Sequence, residues 1–123
     1  MVYDVTSAAL HSALSGLSTR RRVIADNIAN VDTPHYLAGR VSFEDSIQRA
    51  LEGARTGRVD AAGVGSVAAD RTTSDAATRL NGNNVSLDDE VVSQTTNELA
   101  YSTVLEAMNG KFRLLRTAIS QGA

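Results

Sequence analysis

The side chains that could support catalysis are few in this sequence, and the densest group is the acidic run Asp88-Asp89-Glu90. Adjacent carboxylates can act as a general acid and base or bind a cation. The run follows Ser86, however, so it falls in the first turn of a predicted helix, where negative charge is stabilising. His11 and His35 are the only histidines, and they lie on different predicted elements without metal-ligand spacing. We therefore expect helix capping here, and neither catalysis nor a metal or cofactor site.

The basic residues give no indication of a nucleic-acid surface. Arg20-Arg21-Arg22 is the only dense basic cluster, it has no interleaved aromatic residues, and the net charge of the chain is −2. We expect these arginines to form a solvated helix face or ion pairs. Arg21 falls on an apolar row, so its aliphatic part should pack while its guanidinium reaches an acidic group on a partner helix.

The sequence contains no cysteine, which excludes a disulfide framework and a thiolate metal site. It also contains no apolar stretch near the roughly 20 residues that span a bilayer. The beginning of the chain has no basic region followed by an apolar run, so we expect no cleavable secretion signal.

A first long helix is predicted from about Ser7 to Asn30, because apolar residues recur there at alternating spacings of three and four. This heptad pattern is typical of helices that pair as coiled coils. The helix should end before Pro34, because the residue preceding a proline avoids the helical region. The row that we expect to pack consists of Leu10, Leu14, Leu17, Arg21, Ile24, Ile28 and Val31.

A second long helix is predicted from Ser86 to the end of the chain. Two successive spacings of three, from Ser102 to Met108, predict a local shift of the heptad register. The predicted apolar row consists of Val92, Thr95, Leu99, Ser102, Leu105, Met108, Phe112, Leu115 and Ile119.

The middle of the chain has weaker signals. Phe43 to Leu51 could form a short amphipathic helix, and Asn81 to Asn84 is a turn sequence. Residues 53–78 are rich in Gly, Ala, Ser, Thr and Asp, which predicts a loop or a disordered segment.

The expected fold is therefore mainly α-helical and forms one domain in three parts. Residues 1–32 and 86–123 form an antiparallel coiled-coil pair, and residues 33–85 form an irregular or partly disordered middle. One helix pair buries only one side of each helix, so the other faces should be covered by further helices from other chains. The pattern indicates assembly.

Residues 13–36 resemble the N-terminal signature of the flagellar rod and hook proteins, whose pattern is A-N-N-I-A-N-x-x-T-P-G-Y. Asp26 replaces an Asn of this pattern and His35 replaces its Gly, so a positive-φ turn at position 35 no longer follows from the sequence. We interpret Asn27 and Asn30 as assembly residues whose amides bridge to neighbouring helices. The matching residues are Ala25, Asn27, Ile28, Ala29, Asn30, Thr33, Pro34 and Tyr36.

Residues 82–90 and 109–119 resemble the corresponding segments of the B-type proximal rod proteins of that family. The resemblance implies a structural subunit of the basal-body rod, required for flagellum assembly and motility, that transmits torque from the membrane ring to the distal rod and hook. It implies export without cleavage into the periplasm or cell wall. Phe43 and Ile47 also resemble a short motif by which early rod and hook subunits engage the export gate. The implied partners are copies of the chain, other rod proteins, the rod adaptor FliE, the membrane-ring complex and the flagellar type III export apparatus.

Two other classes of function remain open at this point. One is a small helical adaptor or export chaperone of the flagellar system, and the other is a small hydrolase that uses Asp88 or Asp89. The signature at residues 25–36 favours the rod subunit.

Overall fold

The computed structural model describes residues 4–122 of the 123-residue chain. Residues 1–3 and 123, which the predicted terminal segments include, lie outside the described residues. Both predicted long helices are confirmed, with ends close to the predicted ones. In chain order the elements are α1 (Val5–Ala29), β1 (Gly39–Ser42), α2 (Glu44–Arg55), α3 (Ala61–Gly65), β2 (Asp70–Thr73) and α4 (Leu87–Gln121).

The two long helices are capped by the side chains that precede them. Asp4 accepts a hydrogen bond from the Ser7 N–H at 2.9 Å at the start of α1. Ser86 accepts one from the Asp89 N–H at 3.4 Å at the start of α4, as the sequence predicted. Such caps satisfy backbone donors that have no partner within the helix.

Helices α1 and α4 pack antiparallel, which confirms the predicted pair. Asp4 lies beside Lys111 at one end, and Asn27 bonds to Glu90 at the other. Between them, Arg21 forms the ion pair with a partner helix that was predicted for it. Its Nε and Nη2 donate to the two oxygens of the Glu98 carboxylate at 2.6 and 2.8 Å.

The row of α4 that faces α1 shares only Met108 and Leu115 with the predicted row. Val92 and Leu99 are 66% and 70% exposed, and Phe112 and Ile119 are exposed as well. The predicted register shift is also wrong, because the row in contact repeats every seven residues without interruption. Apolar residue type alone predicts a different row, because the pair also buries the polar side chains of Glu90 and Asn97. The buried and half-buried residues of this row are Glu90, Asn97, Tyr101, Val104, Met108, Lys111 and Leu115.

A second face of α1 carries small residues and receives the middle of the chain. Ala8, Ser12 and Gly16 are spaced by four and are all buried. The Ser12 hydroxyl donates to the carbonyl oxygen of Val64 at 2.7 Å, which fixes α3 on this face. The ring of Phe43 lies over Gly16, where an added Cβ would come within 2.4 Å of it.

Strands β1 and β2 pair antiparallel, from Gly39 opposite Thr73 to Ser42 opposite Asp70. The predicted irregular middle is confirmed in its broad form, but α3 and β2 lie within residues 53–78, where the composition predicted no regular structure. Docking on α1 and pairing with β1 order these two short elements. Neither interaction is visible in the local composition.

Replacing Gly16 with alanine tests the packing of Phe43. The added methyl group would clash with the buried ring, so we expect Gly16→Ala to lower the free energy of unfolding by about 1–3 kcal/mol. Gly110→Ala is the matched control, because the nearest atom to an added Cβ there is 3.7 Å away. In a helix interior that change should stabilise by about 0.5–1 kcal/mol. Urea unfolding followed by circular dichroism measures both, and equal stabilisation would contradict the packing.

Candidate functional site

The side chain of Asn27 lies at the end of α1 and joins α1 to β1 and α4. Its Oδ1 accepts from the Gly39 N–H at 2.8 Å and from the Tyr36 hydroxyl at 3.2 Å. Its Nδ2 donates to the Gly39 carbonyl and to Glu90 Oε2, both at 3.0 Å. Burial raises the pKa of Tyr36, which keeps the hydroxyl protonated as a donor. All four hydrogen-bonding positions of the amide are used within the chain.

Glu90 is completely buried, although the sequence suggested only a capping role for the acidic run. Its Oε1 accepts from Arg40 Nη1 at 2.6 Å, in addition to the bond from Asn27. Asp88 and Asp89 remain exposed in the first turn of α4. The signal that could have found Glu90 is its seven-residue distance from Asn97, which places both on one side of α4.

Asn83 ties the segment before α4 to the end of α1. The residue is buried, and its Nδ2 donates to the carbonyl oxygens of Asn30 and Thr33 at 2.9 and 2.8 Å. Its Oδ1 accepts from the Val85 N–H at 2.7 Å. The turn predicted at this position is confirmed, and the amide explains why an asparagine stands there.

Asn84 performs the same role towards the middle of the chain. Its Oδ1 accepts from the Ala38 N–H at 2.7 Å, and its Nδ2 donates to the carbonyl oxygens of Ser74 and Ala76, each at 3.1 Å. We refer to Asn27, Asn83 and Asn84 as the asparagine junction. Together these amides hold both terminal helices and the middle segment in one arrangement.

His35 has a positive φ. The sequence did not predict this conformation, because His35 replaces the glycine of the family pattern. Its φ is 60°, and its N–H donates to the Asn81 carbonyl at 2.9 Å. Gly82 has φ 79° and lies against the imidazole, so an added Cβ would be 2.5 Å from its Nδ1. The turn therefore depends on a glycine, but at position 82.

The other residues of the signature divide between junction and surface. Asn30 donates from Nδ2 to the Asp26 carbonyl at 2.8 Å and accepts from the Thr33 hydroxyl at 3.1 Å. Ile28 is half-buried. Asn27 is fully enclosed, so any contribution of its side chain to assembly is indirect. The exposed residues of the signature are Ala25, Ala29, Thr33 and Pro34.

The side chain of Phe43 is inaccessible in the folded chain. It is 4% exposed, with Gly16 beneath its ring and the Arg20 guanidinium 4.6 Å from the ring centre. Ile47, on the next turn, is half-buried. The export-gate role of these residues stays a prediction, and it requires the segment to be unfolded when it is recognised.

Exposed apolar residues of α4 lie on its far side and along one flank, and basic residues lie near its C-terminal end. Val92 and Leu99 point away from α1, while Leu105, Phe112 and Ile119 are seven residues apart along one flank. Phe112, Leu115 and Ile119, with Arg116 and Ser120, line an open apolar hollow of about 400 Å³. Residues 112–121 extend past the Asp4–Lys111 contact that marks the described start of α1. We refer to Val92, Leu99, Leu105, Phe112 and Ile119 as the outer surface of α4.

Comparison with known proteins identifies the family to which this arrangement belongs. The chain is 35% identical to the flagellar basal body rod protein FlgB of Bacillus subtilis over 126 residues, which cover 98% of each chain. It belongs to the family of flagellar basal body rod proteins. The model of that family, described as "Flagella basal body rod protein", matches residues 9–36, which include the α1 row and Asn27.

More distant relatives agree with this assignment. FlgB of Escherichia coli K12 is 28% identical over 139 residues, which cover 97% of this chain and 98% of that protein. The flagellar hook protein FlgE of Borreliella burgdorferi is 46% identical over 48 residues, 37% of this chain and 11% of that protein. The predicted structural role in the rod of the flagellar basal body is therefore confirmed and favoured over an adaptor or chaperone. No helix within residues 4–122 is long and apolar enough to cross a membrane.

Replacing Asn27 with aspartate tests the junction. Asn27→Asp removes both Nδ2–H donors and places a second carboxylate beside Glu90, so we expect a loss of about 3 kcal/mol at pH 7. The loss should shrink in acid, because protonation removes the repulsion. Asn109→Asp, at an exposed position of α4, is the control and should change stability by less than about 0.5 kcal/mol. Urea titrations at several pH values measure both, and equal effects would contradict the role of Asn27.

The contact between Asp4 and Lys111 predicts a pH dependence. The Lys111 ammonium and the Ser7 N–H, both donors to the carboxylate, lower the pKa of Asp4 to about 2. Because the carboxyl pKa is lower in the folded state, ionised Asp4 stabilises the fold at pH values above the pKa that this group has in the unfolded chain. This contribution is lost as the pH falls to about 2. Asp4→Asn, which keeps a capping side chain, should lower the urea midpoint near neutral pH but not at the acid end. A pH-independent difference would contradict this linkage, and Asp75→Asn, in an exposed loop, is the control.

Proposed function

We propose that this chain is a subunit of the proximal rod that polymerises through the surfaces its own fold leaves uncovered. The observation that carries the proposal is the inversion on α4, where Glu90 and Asn97 are buried while Leu99 and Phe112 are exposed. A protein that functioned alone would gain stability from the opposite arrangement. Several large apolar side chains exposed along one helix indicate a protein-protein contact.

The energies favour several neighbours for each subunit. Burying a large apolar side chain contributes about 1.5–3 kcal/mol, whereas association costs an estimated 4–15 kcal/mol in translational and rotational freedom. A contact through one or two residues of the outer surface would therefore be weak. A lattice in which several neighbours cover Val92, Leu99, Phe112 and Ile119 together is stable, which is the condition for polymerisation.

The remaining members of the predicted set of partners belong to this proposal. Copies of the chain and other rod proteins would cover the outer surface of α4. Their helices would also pack against the predicted row of α1. FliE and the membrane-ring complex would bind at the base of the rod, which transmits torque to the distal rod and hook. The flagellar type III apparatus would export the chain while Phe43 and Ile47 are unfolded and accessible. The family resemblance supports these assignments.

Replacing Leu99 with glutamate tests the outer surface. The side chain is 70% exposed, so Leu99→Glu should change the stability of the isolated chain by less than about 0.5 kcal/mol. A buried charge at a subunit contact would nevertheless prevent assembly, so we expect loss of swimming in a strain that carries only this variant. Electron microscopy of purified basal bodies should then show membrane rings without a rod.

Leu80→Glu is the matched control, because Leu80 is a fully exposed leucine in the loop before α4. We expect that variant to assemble and swim. Normal rods in the Leu99→Glu strain would exclude the outer surface as a subunit contact.

The two alternative functions make different predictions. Deletion of the gene separates a rod subunit from an adaptor or chaperone, because loss of the rod with the membrane ring retained supports a subunit, whereas a normal rod would exclude it. A hydrolase that uses Asp88 or Asp89 would fail when both are replaced by asparagine, whereas a rod subunit with these changes should still support swimming. Both carboxylates are exposed in the first turn of α4, which agrees with a capping role.

A further inference from the structure

One heptad position of the α4 row that faces α1 carries a polar side chain in three of its four repeats. Glu90, Asn97, Val104 and Lys111 follow one another at intervals of seven residues, so they lie on one side of the helix. Glu90 and Asn97 are 0% and 3% exposed, and Lys111 is half-buried. Positions of this kind are normally apolar in a helix pair.

Each polar residue finds its partner at a different height along α1. Glu90 bonds to Asn27, the Asn97 Nδ2 donates to the carbonyl oxygen of Leu17 at 3.0 Å, and Lys111 reaches Asp4. Sliding α4 by one heptad would separate all three from these partners at once. The apolar residues between them would tolerate such a slide, because one aliphatic side chain can replace another in a heptad row.

Asn97 is the least favourable of the three for stability. Its Oδ1 is buried and accepts no hydrogen bond from residues 4–122. A buried acceptor without a donor destabilises the folded state, and a leucine at this position would leave none. The contribution of Asn97 must therefore lie elsewhere than in the strength of the pair.

We propose that Asn97 is a specificity residue that restricts α4 to a single register on the α1 of its own chain. The proposal rests on the proposed function, because subunits that expose apolar helix faces to one another can also exchange helices. Two helices with purely apolar rows can pair in several registers and with other copies. A single asparagine at such a position selects one pairing at a cost in stability, because every other pairing leaves both of its polar atoms buried without partners.

The test uses the purified full chain with Asn97→Leu. We expect its melting temperature to rise by several degrees, because the unsatisfied acceptor is gone. After refolding at high concentration, light scattering should detect a several-fold larger fraction of dimers and higher oligomers than in the unmodified chain. Val104→Leu, an apolar change in the same row, is the control and should leave the oligomer fraction unchanged.

A double variant separates register selection from polarity alone. Asn97→Leu combined with Val104→Asn restores an asparagine to the row but displaces it from the Leu17 carbonyl, so the excess of oligomers should persist. An Asn97→Leu chain that is less stable than the original would overturn the proposal, as would a more stable one that stays monomeric. These measurements use purified protein without a flagellum, so a negative result would leave the rod assignment intact. The rod assignment itself would be refuted if the chain were absent from purified basal bodies.

Discussion

The structure depends on a single buried amide more than on any apolar contact. Asn27 donates two hydrogen bonds and accepts two, and its partners belong to the chain after α1, to β1 and to α4. Because the Asn27 side chain is fully buried, an alternative arrangement would leave polar atoms unpaired. Asn83 and Asn84 repeat this principle from the other side of the junction. The three asparagine amides pair with backbone groups that have no partner in a helix or sheet. The irregular segments are ordered by these hydrogen bonds.

The contacts between α1 and α4 combine modest apolar burial with polar contacts of defined geometry. Leu17 and Ile24 supply apolar burial, but the facing row of α4 offers mainly polar or partly exposed side chains. The Arg21–Glu98 pair is partly solvated and therefore contributes little stability, although its bidentate geometry and the Tyr101 ring 4.6 Å from the guanidinium define its position. Polar contacts therefore determine how α1 and α4 align, while many apolar side chains of α4 face outwards.

The sequence predicted those features that depend on local pattern. Spacing and residue type predicted the heptad pattern of α1 and the end of this helix before Pro34. They also predicted the Ser86 cap and the ion pair of Arg21 with an acidic residue. The row of α4 could not, because hydrophobicity alone favours Leu99 and Phe112 over Glu90 and Asn97. The buried role of Glu90 depends on Arg40 and Asn27, which are distant in sequence. The order of α3 similarly depends on Ser12 and the small residues around it.

The unequal lengths of the two long helices have a geometric consequence. Helix α4 has 35 residues and α1 has 25, so α4 is longer by about 15 Å at 1.5 Å per residue. The excess lies at one end, because the pair is closely matched at the asparagine junction. Within residues 4–122, each molecule therefore has a step at which the C-terminal end of α4 extends beyond the start of α1. Neighbours that stand side by side and flush would leave every step uncovered, whereas neighbours displaced axially by a comparable distance would cover it. Packing that buries this ledge thus favours a staggered lattice over flat rings.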